Sequence, residues 1–272
     1  MKPSTFKLIV RKLLDKMAAG VPARVLVVLT NTQHLPLDRH THTGIWLGEL
    51  TEVERVLEQA GHSLDFVSPA GGSVPVDPLS TGFLTLERSA RDRLRDAAWM
   101  ARLQGTRAVS KVDPAQYSAV LLVGGHGAMA DFRHSEALHA LVRAVYDAGK
   151  LVASLSHGLC GLLDARLSDG ELLVSGKRLT GFSWNEELTV GRATICPYNL
   201  EAEAQKPMRR ALYEKAMLPH AAHVVVDGTL ITGQNTRSSA LLGRTLARAL
   251  ADGRWRSAGA SSSAAAGVAD AV

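Results

Sequence analysis

The sequence predicts an α/β fold in which a mostly parallel β-sheet lies between two layers of helices. Short runs rich in valine and leucine, such as RVLVVLT at residues 24–30, are typical of strands that are buried on both faces. Segments of helical length alternate with these runs along the chain, as in folds with parallel sheets. Glycine-containing turns follow two of the predicted strands, at the sheet edge where ligands bind in this class of fold.

Four short apolar segments are predicted as the parallel strands, at residues 24–30, 63–68, 119–123 and 151–155. Helices are predicted at residues 48–60, 135–148 and 238–250, the first two of which are followed by the helix-ending residues Gly61 and Gly149. Residues 223–226 and 229–231 are predicted to form a hairpin around Asp227 and Gly228. We therefore expect one α/β domain over residues 21–250.

The two ends of the chain differ from this central pattern. Residues 1–20 contain a basic amphipathic stretch, which predicts a helix packed on the domain or on a second subunit. A membrane-surface or targeting segment is the alternative interpretation of this stretch. The Ala/Ser-rich residues 251–272 predict a disordered tail.

Composition restricts the classes of function. The net charge of +5 is modest, and acidic residues interleave with the densest arginine cluster at residues 88–96. This pattern favours a solvated helix face over a nucleic-acid site. Two cysteines and no recognisable signal peptide favour the reducing cytoplasm. No apolar run approaches the ~18 residues of a membrane span.

A candidate nucleophile elbow follows the strand at residues 151–155. The strand runs into Ser156-His157-Gly158, after which a helix is predicted to begin. A side chain on such a sharp turn projects from the sheet beside backbone N–H groups that can stabilise an anion. Gly124, Gly125 and His126 follow the neighbouring strand, and their glycines would let backbone N–H groups approach a ligand as an oxyanion hole.

Five segments together resemble the ThiJ/PfpI superfamily, and most closely its branch of glyoxalase III-type enzymes and stress chaperones. They are TGIWLGEL, VLLVGGHGAMADF, LVASLSHGLCGLL, LTGFSWNEE and VVVDGTLITGQN, and the resemblance covers residues 24–250. It implies a flavodoxin-like α/β/α sandwich, also described as a class I glutamine amidotransferase-like fold, with a strand–elbow–helix motif. It also implies a homodimer and glyoxalase-type chemistry that needs no metal or organic cofactor.

The resemblance assigns roles to particular residues. It implies catalytic roles for Ser156, at the family's cysteine position, and for His157, Glu49 and Glu187. Glu49 would exchange a proton with the nucleophile, and Glu187 would orient the histidine, although Glu186 is a neighbouring alternative by one position. The backbones of Gly125 and His157 would form the oxyanion hole. The expected pocket further includes Gly124, His126, Trp46 and Trp184.

Two departures from the family pattern bear on the chemistry: Ser156 replaces the cysteine, and Leu159 replaces the proline after the elbow glycine. A thiol has a pKa near 8.5 and ionises readily in an elbow, whereas a serine hydroxyl needs a general base. His157 with Glu187 would supply that base if the geometry permits. Otherwise Ser156 would only donate and accept hydrogen bonds while Glu49 transfers protons.

Other candidate residues have ordinary structural interpretations. Cys160 is expected to be a small buried apolar residue rather than a displaced nucleophile. His34, His40 and His42 lie in the loop after the first strand, where a polar loop is favoured over a metal site. We therefore expect no metal.

Two classes of function remain open. The first is a cofactor-independent cytoplasmic enzyme that acts on a small or medium carbonyl-type substrate, with hydrolase, hydratase, lyase or isomerase chemistry. The alternative is a non-catalytic, chaperone-like or ligand-binding protein. An α/β-hydrolase is disfavoured because Asp227 follows His223, the reverse of that fold's order. A glutamine amidotransferase is disfavoured because it needs cysteine at the elbow.

Overall fold

The computed structural model describes residues 22–83 and 85–253. The predicted helix at residues 1–20 lies outside this range, as does the predicted tail beyond residue 253. The strands of the described residues are β1 (Arg24–Val28), β2 (His34–Leu35), β3 (Asp38–His42), β4 (Ser63–Ser68), β5 (Arg107–Ala108), β6 (Ala119–Leu122), β7 (Leu151–Leu155), β8 (Arg178–Leu179), β9 (Leu212–Tyr213), β10 (Val224–Asp227) and β11 (Leu230–Gly233). Their α-helices are α1 (Leu47–Gln59), α2 (Arg88–Leu94), α3 (Ala97–Ala101), α4 (Ala128–Asp131), α5 (Glu136–Asp147), α6 (Trp184–Val190), α7 (Leu200–Ala204) and α8 (Ser239–Asp252).

Seven strands form the central sheet in the order β10-β11-β7-β6-β1-β4-β5. Every neighbouring pair is parallel except the β10–β11 hairpin, which is antiparallel. The predicted fold class, a flavodoxin-like α/β sandwich with a mostly parallel sheet, is confirmed. The predicted hairpin around Asp227 and Gly228 is also confirmed.

Helices cover both faces of the sheet because side chains of the central strands are buried on alternating sides. Leu26, Val120 and Val152 belong to the core that also contains buried side chains of α5. Val27 and Leu121 belong to the opposite core, shared with α1 and α8. This two-sided burial explains why the strands are almost continuously apolar in sequence.

Two local predictions differ from the structure. The segment after β1 is not a simple loop, because β2 and β3 form a separate two-stranded antiparallel sheet there. The helix predicted after the elbow is present, but as a short 3₁₀-helix at Ser156–Gly161. Gly158 and Gly161 lie in this turn, where their missing side chains allow it to pack closely on β6 and α5.

No helix within residues 22–83 and 85–253 is long and apolar enough to cross a membrane.

Candidate active site

A cavity of about 570 Å³ lies at the carboxyl edge of the sheet, where the segments after β6, β7 and β11 meet the start of α1. This is the position at which ligands bind in open α/β folds. The cavity is lined by Trp46, Glu49, Leu79, Thr85, Leu86, Glu87, Gly125, His126, Ser156, His157, Phe182, Val190, Arg192, His220, Asn235, Thr236 and Arg237.

Ser156 adopts the strained backbone conformation of a nucleophile elbow. Its φ is +57°, in the left-handed region that non-glycine residues adopt at a cost of roughly 1–2 kcal/mol. Gly158 makes the turn possible, because a Cβ at this position would lie 2.2 Å from the Leu122 carbonyl oxygen. The elbow therefore holds the Ser156 hydroxyl at the floor of the cavity, where the residue is almost fully buried.

Ser156, His157 and Glu187 form a hydrogen-bonded series. The Ser156 Oγ lies 3.3 Å from His157 Nδ1, and His157 Nε2 makes a very short contact with Glu187 Oε1. The two neighbours in sequence therefore face each other, which adjacent positions on an elbow do not guarantee. All three residues are buried.

Glu187 determines the tautomers of two histidines. Its Oε2 accepts a hydrogen bond of 2.9 Å from His126 Nε2, while Oε1 accepts from His157. Burial alone would raise the pKa of Glu187, but the charge of His157 and the hydrogen bonds from both rings hold it well below its usual range. An ionised carboxylate only accepts hydrogen bonds, so both Nε2 atoms carry the proton. When the His157 ring is uncharged, the lone pair of its Nδ1 is then available to the Ser156 hydroxyl.

A buried ion pair supports His126 from the other side. Arg192 donates to His126 Nδ1 at 3.3 Å and to Asp77 Oδ2 at 2.5 Å. Asp77 is fully buried and also accepts a hydrogen bond of 3.0 Å from the Thr43 hydroxyl. Burial lowers the pKa of His126, and the charges of His157 and Arg192 lower it further against the effect of Glu187. His126 therefore stays neutral and donates to the carboxylate.

Glu49 is a buried carboxyl with a pKa near neutrality. Burial raises its pKa to about 7, although the charge of His157 and the hydroxyls of Ser156 and Thr236 oppose the shift. The Thr236 hydroxyl donates to Oε1 at 3.0 Å, whereas Oε2 has no regular hydrogen bond among the described residues. A Cβ on Gly124 would lie 2.5 Å from this Oε2 and 2.7 Å from the Ser156 Cβ, so Gly124 makes room for both groups.

Gly125 lines the cavity with its backbone. Its φ is +111°, and a Cβ would lie 2.2 Å from the Gly44 carbonyl oxygen, so only glycine fits. Its N–H has no acceptor within the described part of the chain. This N–H is placed to serve the predicted oxyanion hole with the His157 backbone, a role that stays a prediction.

The two neighbouring glutamates, Glu186 and Glu187, make different contacts. Glu186 completes a capping box with Ser183 at the start of α6. Its carboxylate also accepts hydrogen bonds from the side chains of Gln234 and Asn235 and from the His220 backbone. Glu186 thus holds α6 and the segment after β11 together, while Glu187 contacts the histidines.

Other predicted pocket residues divide into two groups. Trp46 lines the cavity, whereas Trp184, the first residue of α6, is not among the residues that line it, contrary to prediction. His34 and His42 pair across the β2–β3 hairpin, with ring centroids 4.5 Å apart, and are not cavity residues. Cys160 is buried, and burial raises the pKa of its thiol to about 12, which disfavours the reactive thiolate.

His126, His157 and Glu187 have potential metal-ligand atoms within 4.8 Å of one another. Each of these atoms is already engaged in the hydrogen bonds of the series. A cation would have to break both bonds to enter, so the cluster is best interpreted as a hydrogen-bond network.

Several site residues carry no local sequence signal. Arg192 and Asp77 are separated by 115 positions, and no periodicity relates them. Thr236 and Glu87 likewise reach the cavity through tertiary packing. For Glu87, the one local signal is Gly48, a glycine at the start of a predicted helix, against which the Glu87 carboxyl group packs closely.

Comparisons with known proteins agree with the fold and with the order of the motifs. Residues 43–249 match the sequence profile of the DJ-1/PfpI family. The chain is 28% identical over 227 residues to a probable glutathione-independent glyoxalase of Saccharomyces cerevisiae, covering 80% of this chain and 94% of that one. It is 26% identical over 206 residues to a glutathione-independent glyoxalase of Schizosaccharomyces pombe, covering 73% of this chain and 84% of that one.

Solved structures extend the comparison. The 24 kDa rapid encystment protein of Francisella tularensis superposes with a TM-score of 0.78 at 28% identity, covering 84% of this chain and 99% of that one. Glyoxalase III of Candida albicans superposes with a TM-score of 0.75 at 24% identity, covering 82% and 95% of the two chains. At this level of identity, the superposition on the Candida albicans protein shows a shared fold.

Proposed function

Because the chain belongs to the DJ-1/PfpI family, we propose that it is a cofactor-independent enzyme that acts on a small or medium carbonyl compound. Relatives named as glutathione-independent glyoxalases support a carbonyl substrate. In this proposal Ser156 is a nucleophile activated by His157, and Glu49 transfers protons.

The observation that carries the proposal is the 3.3 Å contact between Ser156 Oγ and His157 Nδ1. A serine hydroxyl is too weak an acid to ionise beside a carboxylate alone, so it needs a base within reach. His157 is held in the required tautomer by Glu187, which stays ionised. The 3.3 Å separation is typical of an unliganded site, in which catalytic hydrogen bonds are long before substrate binds.

The first step is addition to the carbonyl group. The Ser156 oxygen attacks the carbonyl carbon while its proton passes to His157 Nδ1, and the carbonyl oxygen becomes an alkoxide. In this proposal the Gly125 N–H, which donates to no backbone acceptor among the described residues, stabilises that negative charge. The imidazolium formed on His157 is in turn stabilised by the Glu187 carboxylate.

Glu49 supplies the second proton transfer. With a pKa of about 7, it is present in both protonation states at neutral pH and can take a proton and return it. For an α-oxoaldehyde, the ionised Glu49 would remove the proton from the adduct carbon and return it to the adjacent carbon. The oxygen on that adjacent carbon would take the proton held by His157, while the first alkoxide becomes the carbonyl group of an ester. The resulting ester on Ser156 would then be released as a 2-hydroxy acid by water.

The test is steady-state turnover of a panel of small carbonyl compounds, methylglyoxal included, by variants of the three groups. Ser156→Ala, His157→Gln and Glu49→Gln should each abolish turnover without loss of fold. Ser154→Ala is a matched control, because Ser154 lies two residues earlier on β7 and is not a cavity residue. Full activity in both Ser156→Ala and Glu49→Gln would overturn the proposal.

A second candidate is a non-catalytic, ligand-binding or chaperone-like protein. It is favoured by apolar side chains that line the cavity and yet are open to solvent, namely Leu79 at 47% and Val190 at 36% exposure. Binding of carbonyl ligands with no turnover by the wild type would favour this candidate.

A further inference from the structure

The cavity is much larger than a three-carbon substrate needs. Its volume of about 570 Å³ lies within the range of sites that hold ligands of drug size. Methylglyoxal has five non-hydrogen atoms, which need only about 150 Å³ even at the ~30 Å³ that a water molecule occupies in the liquid. Roughly three quarters of the cavity would therefore stay unfilled by methylglyoxal.

Five residues with apolar side chains line this space, namely Trp46, Leu79, Leu86, Phe182 and Val190. Leu79 is 47% and Val190 is 36% exposed, so both lie where the cavity opens to solvent. Phe182 is buried beside the proposed base, with its ring centroid 4.6 Å from that of His157. Apolar surface is therefore present both next to the reacting groups and at the mouth of the cavity.

The buried ion pair of Asp77 and Arg192 holds the two exposed residues in place. Asp77 accepts a hydrogen bond of 3.0 Å from the Leu79 N–H and so caps the 3₁₀-helix at Pro78–Thr81. Val190 ends α6, and Arg192 follows two residues later. Because a contact of 2.5 Å joins Arg192 to Asp77, the segments that carry Leu79 and Val190 are anchored to each other. Both segments are thus ordered before a ligand arrives, which lowers the entropic cost of binding.

The exposure of these side chains within a cavity points to an apolar ligand group. Single exposed apolar residues are ordinary, but apolar residues that share a cavity with reactive groups are typical of ligand sites. A carboxylate is the alternative group, because the exposed Arg237 also lines the cavity. Glu49 and Glu87 line it too, however, and oppose an anion.

We propose that Leu79, Phe182 and Val190 form an apolar wall that binds an alkyl or aryl substituent of the substrate. The substrate class is therefore a carbonyl compound, such as an α-oxoaldehyde, with an apolar chain of several carbons. This inference rests on the proposed function for its reaction, but the binding of the apolar chain is independent of turnover.

The experiment measures binding in Ser156→Ala, which lacks the proposed nucleophile. Ligand-observed NMR gives the dissociation constants of acetone, 2-butanone, 2-pentanone and 2-hexanone. Complete burial of a methylene group predicts about fourfold tighter binding, so each added carbon should tighten binding by about two- to fourfold. 5-Methyl-2-hexanone should also bind more tightly than levulinate, which has nearly the same shape but ends in a carboxylate. In the wild type, kcat/KM should rise by about tenfold or more from methylglyoxal to 2-oxohexanal.

Two variants make the apolar wall more polar. Val190→Thr is nearly isosteric, and Leu79→Ser shortens a half-exposed side chain, so both should fold, which circular dichroism checks. Each should reduce the preference for 2-hexanone over acetone by about threefold or more. Leu188→Thr is the matched control and should leave the preference unchanged, because Leu188 is 59% exposed on α6 with Val190 but is not a cavity residue.

Four results would overturn the apolar wall as a subsite. They are binding that does not depend on chain length, tighter binding of levulinate than of 5-methyl-2-hexanone, no effect of either wall variant, and an equal effect of Leu188→Thr. Chain-length-dependent binding without turnover of any α-oxoaldehyde would instead overturn the proposed function alone.

Discussion

The two sides of the cavity differ in how completely their polar atoms are paired. On the histidine side, formed by His126, His157, Glu187 and Arg192, each side chain is held by a hydrogen bond or an ion pair. On the carboxyl side, formed by Trp46, Glu49 and Glu87, each side chain has one buried polar atom without a regular hydrogen bond among the described residues. A paired network fixes tautomers and positions before substrate arrives, whereas burial with few hydrogen bonds raises the pKa of both carboxyl groups, Glu49 and Glu87.

Neutralising Glu187 should have the largest effect on activity. In Glu187→Gln, the amide N–H₂ would face a ring N–H, so one histidine would have to change its tautomer. We expect kcat/KM to fall by about 10³–10⁴-fold, as expected when a triad histidine loses its carboxylate. Steady-state kinetics check this, with circular dichroism to confirm the fold. Activity within tenfold of the wild type would show that the histidine side is not the activating network.

Breaking the buried ion pair should reduce stability most. Arg192→Met leaves the Asp77 carboxylate buried without its partner, which predicts a loss of about 3–5 kcal/mol in the free energy of unfolding. Asp77→Asn combined with Arg192→Met should lose less than the sum of the two single changes. Urea denaturation of the four proteins measures this coupling. Strictly additive losses would mean that the two residues do not depend on each other.

The ionised Glu49 should lower stability in a pH-dependent manner. Its pKa is about 7 when folded against 4.5 for an unperturbed side chain, so the folded protein binds the proton more tightly. The destabilisation is absent below pH 4.5, grows between pH 4.5 and 7, and is complete above pH 7. Glu49→Gln should therefore raise the free energy of unfolding above pH 7 by up to about 3 kcal/mol.

This gain should disappear as the pH falls below 4.5, where Glu49 is protonated in both the folded and the unfolded state. Urea denaturation across this pH range measures it, with Glu58→Gln as the control for a half-exposed glutamate on the same helix. A gain that does not change with pH would show that Glu49 is not the buried titrating group.

Cys160 should have the smallest effect. Its thiol is buried behind the elbow and protonated at neutral pH. Cys160→Ala should change kcat/KM by no more than about twofold and reduce stability by about 1 kcal/mol through loss of packing. A large fall in activity with an unchanged fold would instead identify Cys160 as a displaced nucleophile.

The sequence predicts the sheet well because its central strands are buried on both faces and bounded by glycine turns. It also locates Ser156 and Gly125, since parallel strands bring their carboxyl ends to one edge. Their partner Glu187 was predicted only through the family resemblance. The helix predicted after Ser156 is present as a short 3₁₀-helix, a type that its apolar residues do not reveal in the sequence.

The residues that surround the Ser156, His157 and Glu187 series could not be predicted from the sequence. Asp77 and Arg192 form an ion pair between segments that are far apart in the sequence. No sequence spacing predicts that two such residues will meet in the folded protein. Glu87 could not be assigned to the cavity for the same reason. The need for glycine at position 48 is clear only from the structure, where the Glu87 carboxyl group packs against it. Trp184 was assigned to the pocket because it lies near Glu187 in the sequence, which does not show whether the first residue of α6 reaches the cavity.

The most direct test of the histidine-activated serine is labelling with a fluorophosphonate, which reacts with activated serine hydroxyls. Peptide mass spectrometry should find the label on Ser156 in the wild type and in Ser154→Ala. It should find little or none in His157→Gln, where the base is absent. Failure of the wild type to react, or equal labelling in His157→Gln, would contradict activation of Ser156 by His157.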